Sequence, residues 1–134
     1  MRKLTGIIAV ACLVAIPAAL LAVTAKDAPD QVTIDDCQAK KAPVAYPHGK
    51  HAAILECKTC HHTQPDLKAG TDQEVKNCAS CHVTPEKAET PICSQMSPSK
   101  NPYHLVCIKC HKAEIAKDAT KKLPTKCDEC HPKA

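Results

Sequence analysis

The sequence contains no tryptophan and no phenylalanine, and only two tyrosines among its 134 residues. Large apolar and aromatic side chains normally form the core of a domain, because each one that is fully buried stabilises the fold by about 1.5–3 kcal/mol. After Ala25, only 17 of the 109 residues are Val, Ile, Leu, Met or Tyr. An ordinary two-layer globular fold held by its own side chains is therefore excluded. A chain this short needs disulfides, metals or a cofactor in place of the missing core.

The N-terminal residues differ in composition from the rest of the chain. Two basic residues precede an apolar stretch, Leu4 to Val23, that leads into small residues. This pattern predicts an export signal at residues 1–25, cleaved after Ala25. A stretch of about 20 apolar residues is also long enough to span a bilayer as an uncleaved anchor. We expect the remaining residues, 26–134, to form one domain in the periplasm.

Cysteine is the most informative residue type in the sequence. Eight of the 11 cysteines form four copies of Cys-x-x-Cys-His, namely Cys57/Cys60/His61, Cys78/Cys81/His82, Cys107/Cys110/His111 and Cys127/Cys130/His131. This is the attachment motif of c-type haem. Two thiols add to the two vinyl groups of one porphyrin, and the adjacent histidine is held beneath the ring as an iron ligand. Zinc sites and redox disulfides also use Cys-x-x-Cys pairs, but four pairs that are each followed by histidine favour four covalently bound haem c groups.

Four histidines lie outside the motifs: His48, His51, His62 and His104. Iron with two imidazole ligands needs one such histidine per haem, so the number matches. His61 and His62 are adjacent, so they cannot hold one iron from both sides and must ligate different haems. His104 precedes Cys107 by three residues, which is too short a tether to reach the far face of the haem that Cys107 holds. His48 and His51 would share one face of a helical turn, which brings two haems together.

The order of these histidines and motifs resembles the tetrahaem cytochrome c3 family, also called class III cytochrome c. The order is His48, His51, the first motif with His62, the second motif, His104, and then the third and fourth motifs. Numbering the haems by motif, the resemblance implies that the sixth iron ligands are His48 for haem 1, His62 for haem 2, His51 for haem 3 and His104 for haem 4. Two-residue spacers in all four motifs, and the short distance from His104 to the third motif, are closer to the type II subgroup.

The resemblance also implies a function. The chain would be a periplasmic electron carrier in sulfate respiration, not an enzyme, and a monomer. It would receive electrons from hydrogenase through a basic cytochrome and pass them to a membrane-bound redox complex, so it would meet the membrane only through a partner. A general type I-like partner of hydrogenase and a multihaem reductase of metals or oxyanions are the alternatives. The reductase needs an open iron position, and the ligand count leaves none.

The charge of the expected domain bears on its partners. Removal of Arg2 and Lys3 from the 18 basic residues leaves 16 against 14 acidic ones, a formal charge of +2. Each oxidised haem adds one net negative charge, so four haems give about −2 when oxidised and about −6 when reduced. Nucleic-acid binding needs a basic surface and is not expected. Six lysines near the last two motifs form either a solvated face or a docking patch for an acidic partner: Lys109, Lys112, Lys117, Lys121, Lys122 and Lys126.

Cys37 and Cys93 lie outside both the motifs and the N-terminal apolar stretch. A free thiol pair and a disulfide are both compatible with the sequence, and an exported chain favours the disulfide. Such a bond would close a loop of roughly 56 residues and stabilise the fold by about 4 kcal/mol.

Signals for regular secondary structure are weak. The segment His111 to Lys122 is rich in Ala, Lys and Glu and is predicted to be helical. Val83 to Pro102 contains four prolines and is predicted to be an irregular loop. No period-two pattern persists. We therefore expect a small multihaem fold, mostly coil with a few short α-helices wrapped around a four-haem core, and little strand.

Overall fold

The computed structural model describes residues 23–37 and 41–132. Turns and irregular segments make up most of this chain. The regular elements are two strands, β1 (Val32–Ile34) and β2 (Val44–Tyr46), and four helices, α1 (His48–Ala52), α2 (Ala79–His82), α3 (Pro102–Lys117) and α4 (Cys127–Cys130). Short 3-10 turns at Ala25–Asp27 and Cys57–Thr59 accompany them. The expected mostly coil fold with short helices and little strand is confirmed. Of the predicted export signal, residues 1–22 lie outside the described part of the chain.

The two strands pair antiparallel, with Val32 opposite Tyr46 and Ile34 opposite Val44. Helix α1 follows β2 directly and docks on the segment before β1. Gly49 N–H donates to the Asp30 carbonyl at 2.8 Å, and a Cβ at Gly49 would lie 2.5 Å from Asp30 Oδ1. The absence of a side chain at Gly49 therefore allows this close approach, which fixes α1 and its two histidines.

Helix α3 is longer than predicted and starts earlier. The predicted helix, His111 to Lys122, is wrong at both ends, because the helix spans Pro102–Lys117. Asn101 caps the start of the helix. Proline is tolerated at the first helical position, because a backbone N–H there would have no acceptor within the helix. The helix ends before Asp118, whose backbone is extended (φ −147°) and whose carboxylate accepts hydrogen bonds from Thr120 N–H and Oγ1. The stretch between His82 and Pro102 is without regular structure, as predicted.

The segment at residues 23–27 packs against the loop at residues 67–75. The Ala25 N–H donates to the Gln73 carbonyl at 2.9 Å, and the Val75 N–H donates to the Val23 carbonyl at 2.9 Å. Ala25 is 6% exposed and Leu67 9% exposed. These contacts include the last three residues of the predicted export signal.

The described polypeptide buries few of its own side chains. Ala25, Leu67 and Cys93 are its buried apolar residues, and none of the described side chains is completely inaccessible. Larger apolar side chains stay exposed, Ile54 at 79% and Met96 at 55%. The protein atoms of residues 23–37 and 41–132 thus form no conventional core, in agreement with the composition. No helix in these residues is both long and apolar enough to cross a bilayer.

A disulfide joins the segment after β1 to the proline-rich loop, residues 83–101, that precedes α3. Cys37 and Cys93 are bonded, with their Cα atoms 5.7 Å apart. The backbone of Cys93 is also fixed, since its N–H donates to the His82 carbonyl at 2.9 Å and its carbonyl accepts from Asn101 Nδ2 at 2.7 Å. This disulfide therefore lies between α2 and the start of α3.

Candidate haem-binding site

Three pairs of histidine rings face one another across similar distances. Each pair joins the histidine of one motif to a histidine outside the motifs. The ring centroids are 6.2 Å apart for His62 and His82, 6.2 Å for His51 and His111, and 6.3 Å for His104 and His131. The members of each pair are distant in sequence or lie on different segments, so the fold brings them together.

These distances fit two imidazoles on opposite sides of one metal ion. A metal–imidazole bond is about 2.0–2.1 Å long and the ring centre lies about 1.1 Å beyond the nitrogen, so two trans ligands place their centroids about 6.2–6.4 Å apart. Direct stacking of aromatic rings needs no such fixed spacing, because stacked centroids are found from about 4.5 to 7 Å. The three observed values lie within 0.1 Å of one another. The residues present therefore fit haem irons held between paired histidines.

Hydrogen bonds orient most of these imidazoles in the same way. In six of the eight histidines Nδ1 lies 2.6–3.2 Å from a backbone carbonyl oxygen. The pairs are His48 with Pro29, His51 with Pro47, His61 with Lys76, His82 with Pro91, His111 with Pro124 and His131 with Ala42. A carbonyl only accepts, so Nδ1 must carry the proton. Nε2 is then the basic nitrogen, which is the usual arrangement of a metal-bound histidine.

The fourth expected pair, His48 and His61, is not in ring contact within the described part of the chain. Each ring is nevertheless oriented by its own carbonyl, at 2.9 Å for His48 and 3.2 Å for His61. Tyr46 lies beside both histidines of α1, with its ring centroid 6.0 Å from that of His48 and 4.7 Å from that of His51. Tyr46 thus lies near both ligands that α1 carries.

The eight motif cysteines are free thiols in the structure. Three of them are exposed and five are partly buried: Cys78, Cys81 and Cys127 are the exposed ones, and Cys57, Cys60, Cys107, Cys110 and Cys130 the partly buried ones. The alternative interpretation, redox disulfides, would join the two cysteines within each motif. Among the described residues, however, the only disulfide joins Cys37 to Cys93. Haem attachment, which needs two free thiols in each motif, stays the prediction for all eight.

The third motif lies inside a helix, which corrects the sequence-based prediction. The predicted helix begins at His111 and so leaves Cys107 and Cys110 outside it, whereas α3 contains all three residues. The reason is the cap at Asn101, which starts the helix two turns before Cys110. Residues three apart on a helix lie on the same face. Cys107 and Cys110 therefore present their two thiols on one side of α3, as attachment to a single porphyrin requires.

The motifs themselves come close together. One cleft is lined by residues within and next to the first and second motifs. These residues are Cys60 to Thr63, Lys76 to Cys78 and Ser80 to His82. Burial raises the pKa of the Cys107 thiol to about 11, and the next contributions come from Cys60, Cys130 and Cys78, one from each of the other motifs. Burial is also the main reason why the pKa of Tyr46 and that of Tyr103 are far above the ordinary range. One cysteine of each of the other motifs therefore lies close enough to Cys107 to affect its thiol.

The alternative of a zinc module requires a different arrangement. Structural zinc is held by four cysteine or histidine ligands that converge on one point. In residues 23–37 and 41–132, no three side chains of the types His, Cys, Asp and Glu converge in this way. Histidine pairs, rather than clusters of cysteines, are what the fold assembles.

The six lysines near the last two motifs differ in their surroundings. Lys117 and Lys121 both contact Glu114, with Nζ 2.6 Å from Oε1 and Oε2 respectively. Hydrogen bonds from these two lysines lower the pKa of Glu114 to about 2. Two members of the expected patch are thus tied to one carboxylate on α3, and Lys112 and Lys122 lie exposed on either side of them.

Sequence reasoning missed one residue that positions a ligand. Asn101 is 7% exposed. It accepts hydrogen bonds from the N–H groups of Tyr103 at 2.9 Å and His104 at 3.2 Å, and its Nδ2 donates to the Cys93 and Gln95 carbonyls. An Asn-Pro pair before an apolar run is a helix-start signal that could have identified it.

Comparisons with known proteins identify the family. The model of the class III cytochrome c family matches residues 22–131. A cytochrome c3 of Desulfovibrio desulfuricans is 36% identical over 110 residues, which cover 80% of this chain and 98% of the relative. A cytochrome c3 of Maridesulfovibrio salexigens is 44% identical over 96 residues, covering 69% of this chain and 81% of the relative. The paired histidines, the four haem-attachment motifs and these similarities lead to one conclusion: the chain belongs to the class III cytochrome c family.

Proposed function

We propose that this chain is a low-potential periplasmic electron carrier that holds four c-type haems, each ligated by two histidines. The proposed ligand pairs are His61 with His48, His82 with His62, His111 with His51 and His131 with His104. The observation that carries the proposal is the common 6.2–6.3 Å spacing of three of these ring pairs. Each of the three joins one motif to the histidine that the resemblance to the cytochrome c3 family pairs with it.

The residues of the chain suit electron transfer rather than substrate turnover. When bound, each haem supplies an iron that takes up and releases one electron. Two neutral imidazoles are stronger donors to ferric iron than imidazole with methionine, so they favour low potentials. The carbonyls that accept Nδ1–H make the imidazoles more basic and act in the same direction. With both axial positions taken by histidine, the iron has no open position for a substrate.

Haem count and coordination test this function directly. The mass of the purified holoprotein should exceed that of its polypeptide by four haems, and its optical spectrum should show only low-spin bands. After reduction, carbon monoxide should leave the spectrum unchanged, because both axial positions are occupied. A high-spin band, or binding of carbon monoxide by any of the haems, would favour the multihaem reductase instead.

The proposed partners follow from charge. We place the chain in the type II subgroup, with a basic cytochrome as donor between it and hydrogenase, and a membrane-bound redox complex in sulfate respiration as acceptor. A holoprotein of about −2 to −6 attracts an acidic donor only through a local patch of positive charge. Lys112 and Lys122 are exposed beside the last two motifs, which supports such a patch there.

Stopped-flow reduction by hydrogenase tests the partners. A basic tetrahaem cytochrome should accelerate the reduction, and high salt should suppress the acceleration by screening the contact. Lys112→Glu with Lys122→Glu should slow the direct reaction with hydrogenase, because the lysine patch attracts an acidic partner. Lys87→Glu, at an exposed lysine in the proline-rich loop, should not. Direct reduction by hydrogenase that is as fast as the mediated rate would place the chain with the general type I-like carriers.

A further inference from the structure

His104 differs from the other candidate ligands in the surroundings of its Nδ1. Six of the eight histidines donate Nδ1–H to a backbone carbonyl, and His62 is exposed, so that water can accept from it. Nδ1 of His104 is buried and has no hydrogen-bond partner among the described residues. On α3, the backbone carbonyl four residues before His104 does not serve as the acceptor for Nδ1. His51 bonds back to the carbonyl four residues earlier, that of Pro47, whereas His104 makes no such bond to Lys100.

The ring planes of this pair are also arranged differently. The rings of His104 and His131 are inclined at 88° to each other, whereas the angle is 27° for His51 with His111 and 40° for His62 with His82. On a six-coordinate iron, the angle between two imidazole planes controls how the d orbitals split. Perpendicular planes give a strongly anisotropic ferric signal, and planes closer to parallel give a rhombic one.

The position of His104 on α3 adds a third difference. It is the third residue of a 16-residue helix, whose N-terminus carries a partial positive charge of about +0.5. Asn101 Oδ1 accepts from the His104 N–H at 3.2 Å and so holds the residue at this end of the helix. A nearby positive charge stabilises an added electron.

Given the function proposed above, we propose that His104 sets the haem it shares with His131 apart from the other three, in its ferric spectrum and in its potential. An imidazole without an Nδ1–H acceptor is a weaker donor to iron and stabilises the ferric state less. The helix N-terminus acts in the same direction. Reduction adds one electron from a low-potential donor to the ferric iron between His104 and His131, and no bond forms or breaks. This iron is therefore reduced first.

Low-temperature electron paramagnetic resonance of the holoprotein tests the proposal. The oxidised protein should show rhombic low-spin signals and, separately, a strongly anisotropic signal at low field. During stepwise reduction with dithionite the low-field signal should disappear first. At the potential where half of this haem is reduced, its ratio of reduced to oxidised iron should be several-fold higher than that of the other haems.

Substitution assigns the signal to a residue. His104→Met should remove the low-field signal, whereas His62→Met and His51→Met should each remove a rhombic signal and leave the low-field signal in place. The proposal is overturned if the low-field signal survives His104→Met, if all signals are rhombic, or if the low-field signal is the last to be lost. The mass of each protein separates this result from the proposed function. Four haems with only rhombic signals would refute only the proposal about His104. Fewer than four haems would refute the proposed four-haem carrier.

Discussion

The chain before residue 100 and helix α3 after it orient their histidines to different extents. Before residue 100 a backbone carbonyl fixes four of the five imidazoles, as for His61 with Lys76 and His82 with Pro91. Helix α3 instead carries His104 and His111 on one element, seven residues and so about 10.5 Å apart along its axis. The Pro124 carbonyl orients His111, but one ring nitrogen of His104 is buried and unpaired within the described structure. A position on a helix is therefore not sufficient to orient a ligand histidine in this fold.

The largest expected effect concerns the disulfide that joins the segment after β1 to the proline-rich loop before α3. Replacing both cysteines, Cys37→Ala with Cys93→Ala, should lower the free energy of unfolding by about 4 kcal/mol, because the closed loop of 56 residues is released in the unfolded state. Alanine is used because Cys93 is 4% exposed and a serine hydroxyl there would be buried. Denaturant unfolding of the holoprotein measures the loss.

The mass of the intact protein provides the control for that prediction. Alkylation after reduction should modify Cys37 and Cys93 alone, since the eight motif cysteines would be thioethers. Without reductant neither should react. Alkylation of both without reductant would mean that the bond is absent, and a loss of stability below about 1 kcal/mol would mean that it does not stabilise the fold.

A smaller loss is expected when the cap of α3 is removed. Asn101→Ala should destabilise the protein by about 3 kcal/mol, since a cap is worth about 1 kcal/mol and two carbonyls that it satisfies lose their partner, at about 1–3 kcal/mol. Asn77→Ala is the matched change in the loops, because Asn77 Oδ1 also accepts a backbone N–H, that of Ser80 at 2.9 Å. It is exposed, so its loss should be about 1 kcal/mol or less. Equal losses of stability in thermal or denaturant unfolding would mean that the buried hydrogen bonds of Asn101 add nothing beyond an ordinary cap.

The haem motifs and the general fold could be predicted from the sequence because both depend on local features. The spacing of Cys57, Cys60 and His61 specifies haem attachment whatever the rest of the chain does. The hydrogen bond of His131 to the Ala42 carbonyl joins residues 89 positions apart, and the type of neither residue predicts it. The start of α3 is harder to predict because proline usually breaks a helix, and only the asparagine before Pro102 makes it a first helical residue. Strands of three residues are too short to show a period.

The smallest expected effect is electrostatic and concerns the end of α3. The folded state holds the pKa of Glu114 at about 2 through hydrogen bonds from Lys117 and Lys121, below its ordinary value of 4.5. Glu114 therefore contributes stability above about pH 4.5, and this contribution is lost as the pH falls towards about 2. All three groups lie at the surface, so the effect should be small and should weaken in high salt.

Comparison of the wild type with Glu114→Gln across this pH range measures the contribution of Glu114. The wild type should be the more stable protein at about pH 6, and the two curves should converge as the pH approaches about 2. Glu86→Gln, a change in the loop region at an exposed carboxylate, is the matched control and should leave the curve unchanged. A difference between wild type and Glu114→Gln that persists at the acid end of the range would contradict the assignment of the ion pairs.

The positions of the irons test the central claim, that paired histidines are the axial ligands, most directly. A crystal structure of the holoprotein, with iron located by anomalous scattering, should show four irons per chain. Three should lie midway between the rings of His62 and His82, His51 and His111, and His104 and His131, and the fourth between His48 and His61. An iron between any other pair of histidines, or one with a single histidine ligand, would contradict the account.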